Sequence, residues 1–181
     1  IGYDMVRHME WLPNMKPDSL GLPDSVLIRP TIIAIFDNVQ DSVTIVTPVW
    51  PKKNSCPKTD YAKASERLIK SIGCLEKPIP FRMEAKVENS ATTKLTSNTT
   101  EAEYHKFVEQ AKEYIASGDI FQVVTSQRFS IPYSLSPFSL YRALRRLNPS
   151  PFLYYFKLDK FSIVGSSPEI LVRLRDDKVT I

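Results

Sequence analysis

After Thr100 the apolar residues Tyr104, Phe107, Val108, Ala111, Tyr114 and Ile115 recur at the spacing of one helix face. Thr100 and Glu103 stand three apart at its start, where each side chain can satisfy the other's free backbone N–H. Gly118 supplies the left-handed residue that ends such a helix. A second helix is predicted over Asp60–Ile72, with Tyr61, Leu68 and Ile72 on one face and Gly73 as its stop. A third is predicted over Pro137–Leu147. Tyr3–Trp11 reads as the tail of a helix closed by Pro13.

Strand-like runs lie between these helices. Ile28–Val39 and Val43–Val49 form an expected hairpin turning at Asp37–Ser42, ended by Pro48 and Pro51. Ile120–Phe129 reads as a strand, as does Phe152–Leu158, with Phe161–Val164 as its hairpin partner across Asp159–Lys160. Pro168 precedes a further expected strand, Glu169–Leu174, and Lys178–Ile181 again looks strand-like. Glu76–Asn98 is polar and contains proline, so it reads as a linker, with a loosely alternating stretch at Phe81–Val87. The expected organisation is residues 1–75, a linker 76–98, and a second region 99–181. Alternating helices and strands indicate an α/β or α+β layer fold.

Composition narrows the function classes. The 181 residues are 43% hydrophobic and 24% charged, as in a globular domain. The 24 Lys and Arg against 20 Asp and Glu leave a net charge of +4 without a block of like charge, so nucleic acid is not an expected partner; apolar runs such as Thr31–Phe36 fall far short of a membrane span, so neither is a membrane. The two cysteines, Cys56 and Cys74, have no metal-site spacing and suit free thiols in a reducing, cytoplasmic setting. His8 and His105 are isolated, and Arg142, Arg145 and Arg146 read as a solvated helix face. No phosphate-binding glycine loop, HExxH or GxSxG is present. The chain opens on Ile1 and closes inside a strand-like run, and is read as a piece of a longer protein.

Three runs carry the candidate chemistry: GDIFQVVTSQRF at Gly118–Phe129, NPSPF at Asn148–Phe152, and GSSPE at Gly165–Glu169. Alternation along Ile120–Phe129 puts Gln122, Ser126 and Arg128 on one face, and Thr125 and Gln127 on the other. A half-buried strand with one solvated face would look the same. NPSPF fits an ordinary turn between a helix and a strand, and Glu169 fits a solvent-facing residue at a strand entrance. Pro168, lacking an N–H, suits such an entrance or a bulge.

In this order the three runs resemble those of the chorismate-using enzymes, in particular anthranilate synthase component I. GYDMVRHME near the start and the IAIFDNV and TIVTPVWP runs resemble that family's N-terminal half. The resemblance implies an α/β sandwich of orthogonally packed, mainly antiparallel sheets with outer helices, incomplete in this chain. It implies conversion of chorismate and ammonia to anthranilate and pyruvate, in tryptophan biosynthesis. Ammonia would come from a glutamine amidotransferase subunit, and Mg2+ would hold the substrate, with its ligands and the general base beyond this chain. Related water-using enzymes have lysine at the Gln122 position, and a neutral amide cannot take a proton from water near neutral pH. The resemblance implies that Gln122 and Ser126 bind substrate. Glu169 is the expected acid that protonates the departing C4 hydroxyl, a role that needs burial or a neighbouring anion. Pro151, Phe152 and Leu153 match the family's segment for tryptophan as feedback inhibitor. Phe152 replaces its usual Tyr and Leu153 its usual Met. Aminodeoxychorismate synthase component I and a non-catalytic effector- or partner-binding piece are the alternatives.

Overall fold

The structure is a computed structural model, described here for residues 1–13, 15–50, 53, 55–79 and 94–180. The chain divides into two compact units, Ile1–Phe81 and Arg82–Ile181. Most of the expected linker, with its alternating stretch at 81–87, lies outside the described residues.

The first unit opens with a 3₁₀ helix, Tyr3–His8, where a helix tail was expected. Strands β1 (Ile33–Asp37) and β2 (Ser42–Val46) pair antiparallel, with Ile33 opposite Val46 and Asp37 opposite Ser42. The Asp37 carboxylate accepts the N–H groups of Val39 and Gln40, both at 2.9 Å, and Asp41 takes a left-handed conformation (φ 50°) to close the turn. The expected first strand began at Ile28, but only the residues with a partner across this hairpin join the ladder.

Helix α1 (Pro57–Leu75) begins earlier than expected because Pro57, whose missing N–H is harmless there, occupies the first turn after Cys56. It also runs through Gly73 rather than stopping at it. Gly73 has no positive φ, and an interior glycine weakens a helix by only about 1 kcal/mol. The end falls at Leu75, shortly before Pro78, which disfavours helix in the residue preceding it. Arg67 fixes α1 against the end of β2, donating to Thr47 Oγ1 at 3.1 Å and to the Pro48 carbonyl at 3.4 Å. Arg29 stacks over the Trp50 ring, 4.6 Å from its centroid.

The second unit contains strand β3 (Thr96–Ser97), helix α2 (Glu101–Ser117), strand β4 (Phe129–Ser130), helix α3 (Pro137–Leu147), and strands β5 (Phe152–Lys157), β6 (Ser162–Ser167), β7 (Arg173–Arg175) and β8 (Lys178–Thr180). Helix α2 has the full reciprocal cap: Thr100 N–H donates to Glu103 Oε2 at 2.8 Å, and Glu103 N–H donates to Thr100 Oγ1 at 3.3 Å. Gly118 ends it at φ 83°. Each sheet is a two-stranded antiparallel pair, β1–β2, β3–β4, β5–β6 or β7–β8.

In this unit β6 runs past the expected Val164 to Ser167, and two other expected strands are curtailed. Over Ile120–Phe129 only Phe129 joins a ladder, opposite Ser97. A strand exists through its neighbour's hydrogen bonds, and over 121–128 the described backbone offers one, from the Asn98 N–H just past β3 to the Arg128 carbonyl at 3.0 Å. The strand expected over Glu169–Leu174 is shorter, because Pro168 and Glu169 form a bend after β6 and pairing resumes only at Arg173. Its partner β8 returns across Asp176 and Asp177, both at positive φ (48° and 58°), the conformation of a tight two-residue hairpin turn.

Packing is sparse. Among the described residues only Ala64 is a buried hydrophobic residue. Helix α3 covers one face of the β5–β6 hairpin, where Phe138 and Tyr141 meet Tyr155 with ring centroids 5.4 and 6.1 Å away.

Candidate functional site

The β5–β6 hairpin holds two of the three motif runs. Helix α3 ends at Asn148, whose N–H bonds to the Leu144 carbonyl at 2.8 Å, and the turn through Ser150 and Pro151 feeds β5. Phe152 then pairs with Ser167, and Leu153 with Ser166. Ser166 Oγ donates to the Asn148 carbonyl at 3.0 Å, so NPSPF and GSSPE lie side by side. Ser167 Oγ donates to the Glu169 carbonyl at 3.0 Å and tethers the backbone of the acid candidate to the strand end.

Alternation divides the expected effector wall. Phe152 lies on the face away from α3, in a row with Tyr154, Phe156 and the cross-strand Ile163, all exposed. Leu153 lies on the opposite, α3-covered face with Tyr155. Tyr154 and Phe156, 5.3 Å apart, extend the Phe152 face and were missed in the sequence reading. Their period of two within FLYYF was the available signal.

Gln122 and Ser126 are exposed, and their side chains make no hydrogen bond to any described residue. The other side of that segment faces α2 and β3: Thr125 Oγ1 donates to Tyr104 Oη and Gln127 Nε2 to Ser97 Oγ, each at 2.8 Å. The two faces expected from alternation are thus present without a strand. A cavity of about 340 Å³ opens beside Ser97, Tyr104, His105 and Gln127, but none of the six expected site residues lines it. The structure therefore joins Glu169 to Pro151, Phe152 and Leu153 on one hairpin. No hydrogen bond or ring contact among the described residues joins Gln122 or Ser126 to them.

Glu169 is exposed, so the described residues do not provide the burial an acid role calls for. They do not supply a magnesium centre either. No three His, Cys, Asp or Glu side chains among them converge to hold a metal ion.

The two adjoining motifs, α2 and the N-terminal hairpin all fall within residues 1–181, which match the family model described as chorismate binding enzyme. The chain belongs to that family. It is 46% identical over 181 residues to anthranilate synthase component 1 of Cereibacter sphaeroides, covering 100% of this chain and 36% of the relative. Against anthranilate synthase component 1 of Thermus thermophilus it is 38% identical over 171 residues, covering 94% and 35%. The crystal structure of anthranilate synthase component I from Streptococcus pneumoniae superposes with a TM-score of 0.76 at 26% identity, covering 99% of this chain and 40% of that one. The chain thus spans little more than a third of the length of these curated relatives.

No helix among the described residues is long and apolar enough to cross a membrane.

Proposed function

We propose that this chain is part of an anthranilate synthase component I, acting on chorismate in tryptophan biosynthesis. The observation that carries the reading is the pairing of NPSPF with GSSPE on one hairpin, in a chain that matches anthranilate synthase relatives along its whole length. In the proposed reaction ammonia forms the new C–N bond on the chorismate ring. The C4 hydroxyl leaves as water after taking a proton from Glu169, and loss of pyruvate completes the aromatic ring. Gln122 is neutral at the position where a lysine would activate water, which suits a nucleophile that already carries its lone pair. Gln122 and Ser126 contact the substrate.

Tryptophan as feedback inhibitor packs against Phe152 and its neighbours Pro151 and Leu153. A glutamine amidotransferase subunit supplies ammonia, and Mg2+ is held by ligands outside the described residues. The enzyme works in the cytoplasm. The test is turnover by a full-length protein carrying this chain, supplied with chorismate, an ammonium salt and Mg2+ and followed by anthranilate fluorescence. Glu169→Gln is expected to lower kcat by ~10²–10⁴-fold with little change in KM. A drop below about threefold would remove Glu169 from the acid role.

A further inference from the structure

The β5–β6 hairpin has an unusual register problem. Strand β5 reads FLYYFK and is apolar or aromatic on both faces, so its hydrophobic pattern does not choose between alignments with β6. The loop adds one backbone bond, from Leu158 N–H to the Phe161 carbonyl at 3.0 Å. A slip by one or two residues would keep aromatic side chains on each face while moving Ser166–Glu169 relative to Asn148–Phe152.

Gly165 resolves the choice. It pairs with Tyr154, and a Cβ built on it would overlap the Tyr154 ring. Its φ is not positive, so this glycine is present for close approach and not for a left-handed turn. Gly165 is the only glycine in β6. In any alignment shifted by one or two residues Tyr154 would face Val164, Ser166, Ile163 or Ser167, all of which carry a Cβ, so its ring would have to leave the position it takes across Gly165. The ring also packs on Phe156 along the strand, at a centroid distance of 5.3 Å, so Tyr154 is held from two sides.

We infer that Gly165 and Tyr154 form a register pin that positions the Glu169 loop beside the Phe152 face. Both are positioning residues that act through the hairpin. The link to Glu169 is short: pairing places Ser167 opposite Phe152, and Ser167 Oγ holds the Glu169 carbonyl. The positioning of the acid rests on the proposed function, whereas the pin itself does not.

The two are tested separately in a full-length protein carrying this chain, with its cysteines replaced by serine. Lys157→Cys and Ser162→Cys, which are backbone partners, report the register by disulfide closure under mild oxidant. Gly165→Ala should slow closure about fivefold when Tyr154 is present and less than about twofold in a Tyr154→Val background. Tyr154→Phe keeps the ring and should preserve the full Gly165→Ala effect, which guards against a Tyr154→Val protein that fails to fold. An equal effect of Gly165→Ala with and without the ring overturns the pin. In the activity arm, Gly165→Ala should lower kcat about tenfold while KM for chorismate stays within about threefold. An unchanged kcat despite slowed closure would overturn the positioning of Glu169. Coupled closure without any chorismate turnover in the parent protein would leave the pin standing and defeat the proposed function.

Discussion

Produced alone, the 181 residues should not fold as a cooperative globular domain. A folded monomer of 20.7 kDa exposes about 8,900 Å² and its unfolded chain about 30,000 Å². Two independent bodies dividing that mass would still expose only about 10,700 Å² together. The chain exposes 17,189 Å² in all; assigning the 19 residues outside the described set their full unfolded area, about 3,100 Å², leaves the other 162 burying about 48% of their unfolded surface, where a domain of this size buries about 70%. The deficit is apolar: Phe121 is 92% exposed, Leu171 88% and Val124 83%. Because the urea m-value follows the surface exposed on unfolding, the isolated chain should show about 0.7 of the m-value of a domain of equal length. The assay is urea unfolding followed by fluorescence of Trp11 and Trp50 and by far-UV circular dichroism, with a dye that reports exposed apolar surface. Broad, non-coincident transitions and strong dye binding are expected. A single sharp transition with a full-sized m-value and no dye binding would refute the reasoning, since it would require burial that these contacts do not contain.

Removing the α2 cap by Thr100→Ala should cost about 1 kcal/mol of helix stability, read by amide exchange in the first turn of α2 in a full-length protein carrying this chain. The Glu103 carboxyl is held below its ordinary value by hydrogen bonds from the Thr100 N–H and hydroxyl, so its contribution is complete above the unfolded value of about 4.3 and is lost as pH falls through the lower folded value. The Thr100→Ala difference should shrink over that acid window, and a difference independent of pH would count against the reciprocal cap. Ser150 Oγ is buried without a hydrogen-bond partner among the described residues, so Ser150→Ala should be neutral or stabilising by up to about 1 kcal/mol in thermal melts of a full-length protein carrying this chain, whereas a clear loss would reveal a partner. Phe152→Ala should weaken tryptophan inhibition about tenfold or more while leaving kcat without tryptophan within about threefold, and an unchanged inhibition constant in a folded variant would remove Phe152 from the effector site.

The features legible in the sequence are those fixed by neighbours in the chain. Thr100, Glu103 and Gly118 mark α2 because capping and left-handed termination are local, and Pro137–Leu147 follows the same logic. Gly73 misled because a glycine ends a helix only when it leaves the helical conformation. Ile120–Phe129 has strand composition, yet pairing depends on a partner that its own residues do not encode. The β5–β6 hairpin was expected, but Gly165, Ser166 and Ser167 resemble loop residues and concealed the extension of β6 that brings GSSPE against NPSPF. Asp176–Asp177 lacks the glycine that usually announces a tight hairpin, so the turn into β8 was not expected. At the site, motif order nominated the candidate residues, while the pairing puts Phe152 and Leu153 on opposite faces of the hairpin.

If this sequence serves an enzyme that makes anthranilate from chorismate and ammonia, as proposed, the ammonia nitrogen and the pyruvyl group must both be traceable in its products. The most direct measurement supplies a full-length protein carrying this chain with chorismate and ¹⁵N-labelled ammonium, then quantifies anthranilate, its label and pyruvate together. ¹⁵N-labelled anthranilate and unlabelled pyruvate are expected in equal amounts. An aminated product that retains its pyruvyl group, or a hydroxylated product without label, would contradict the proposed reaction.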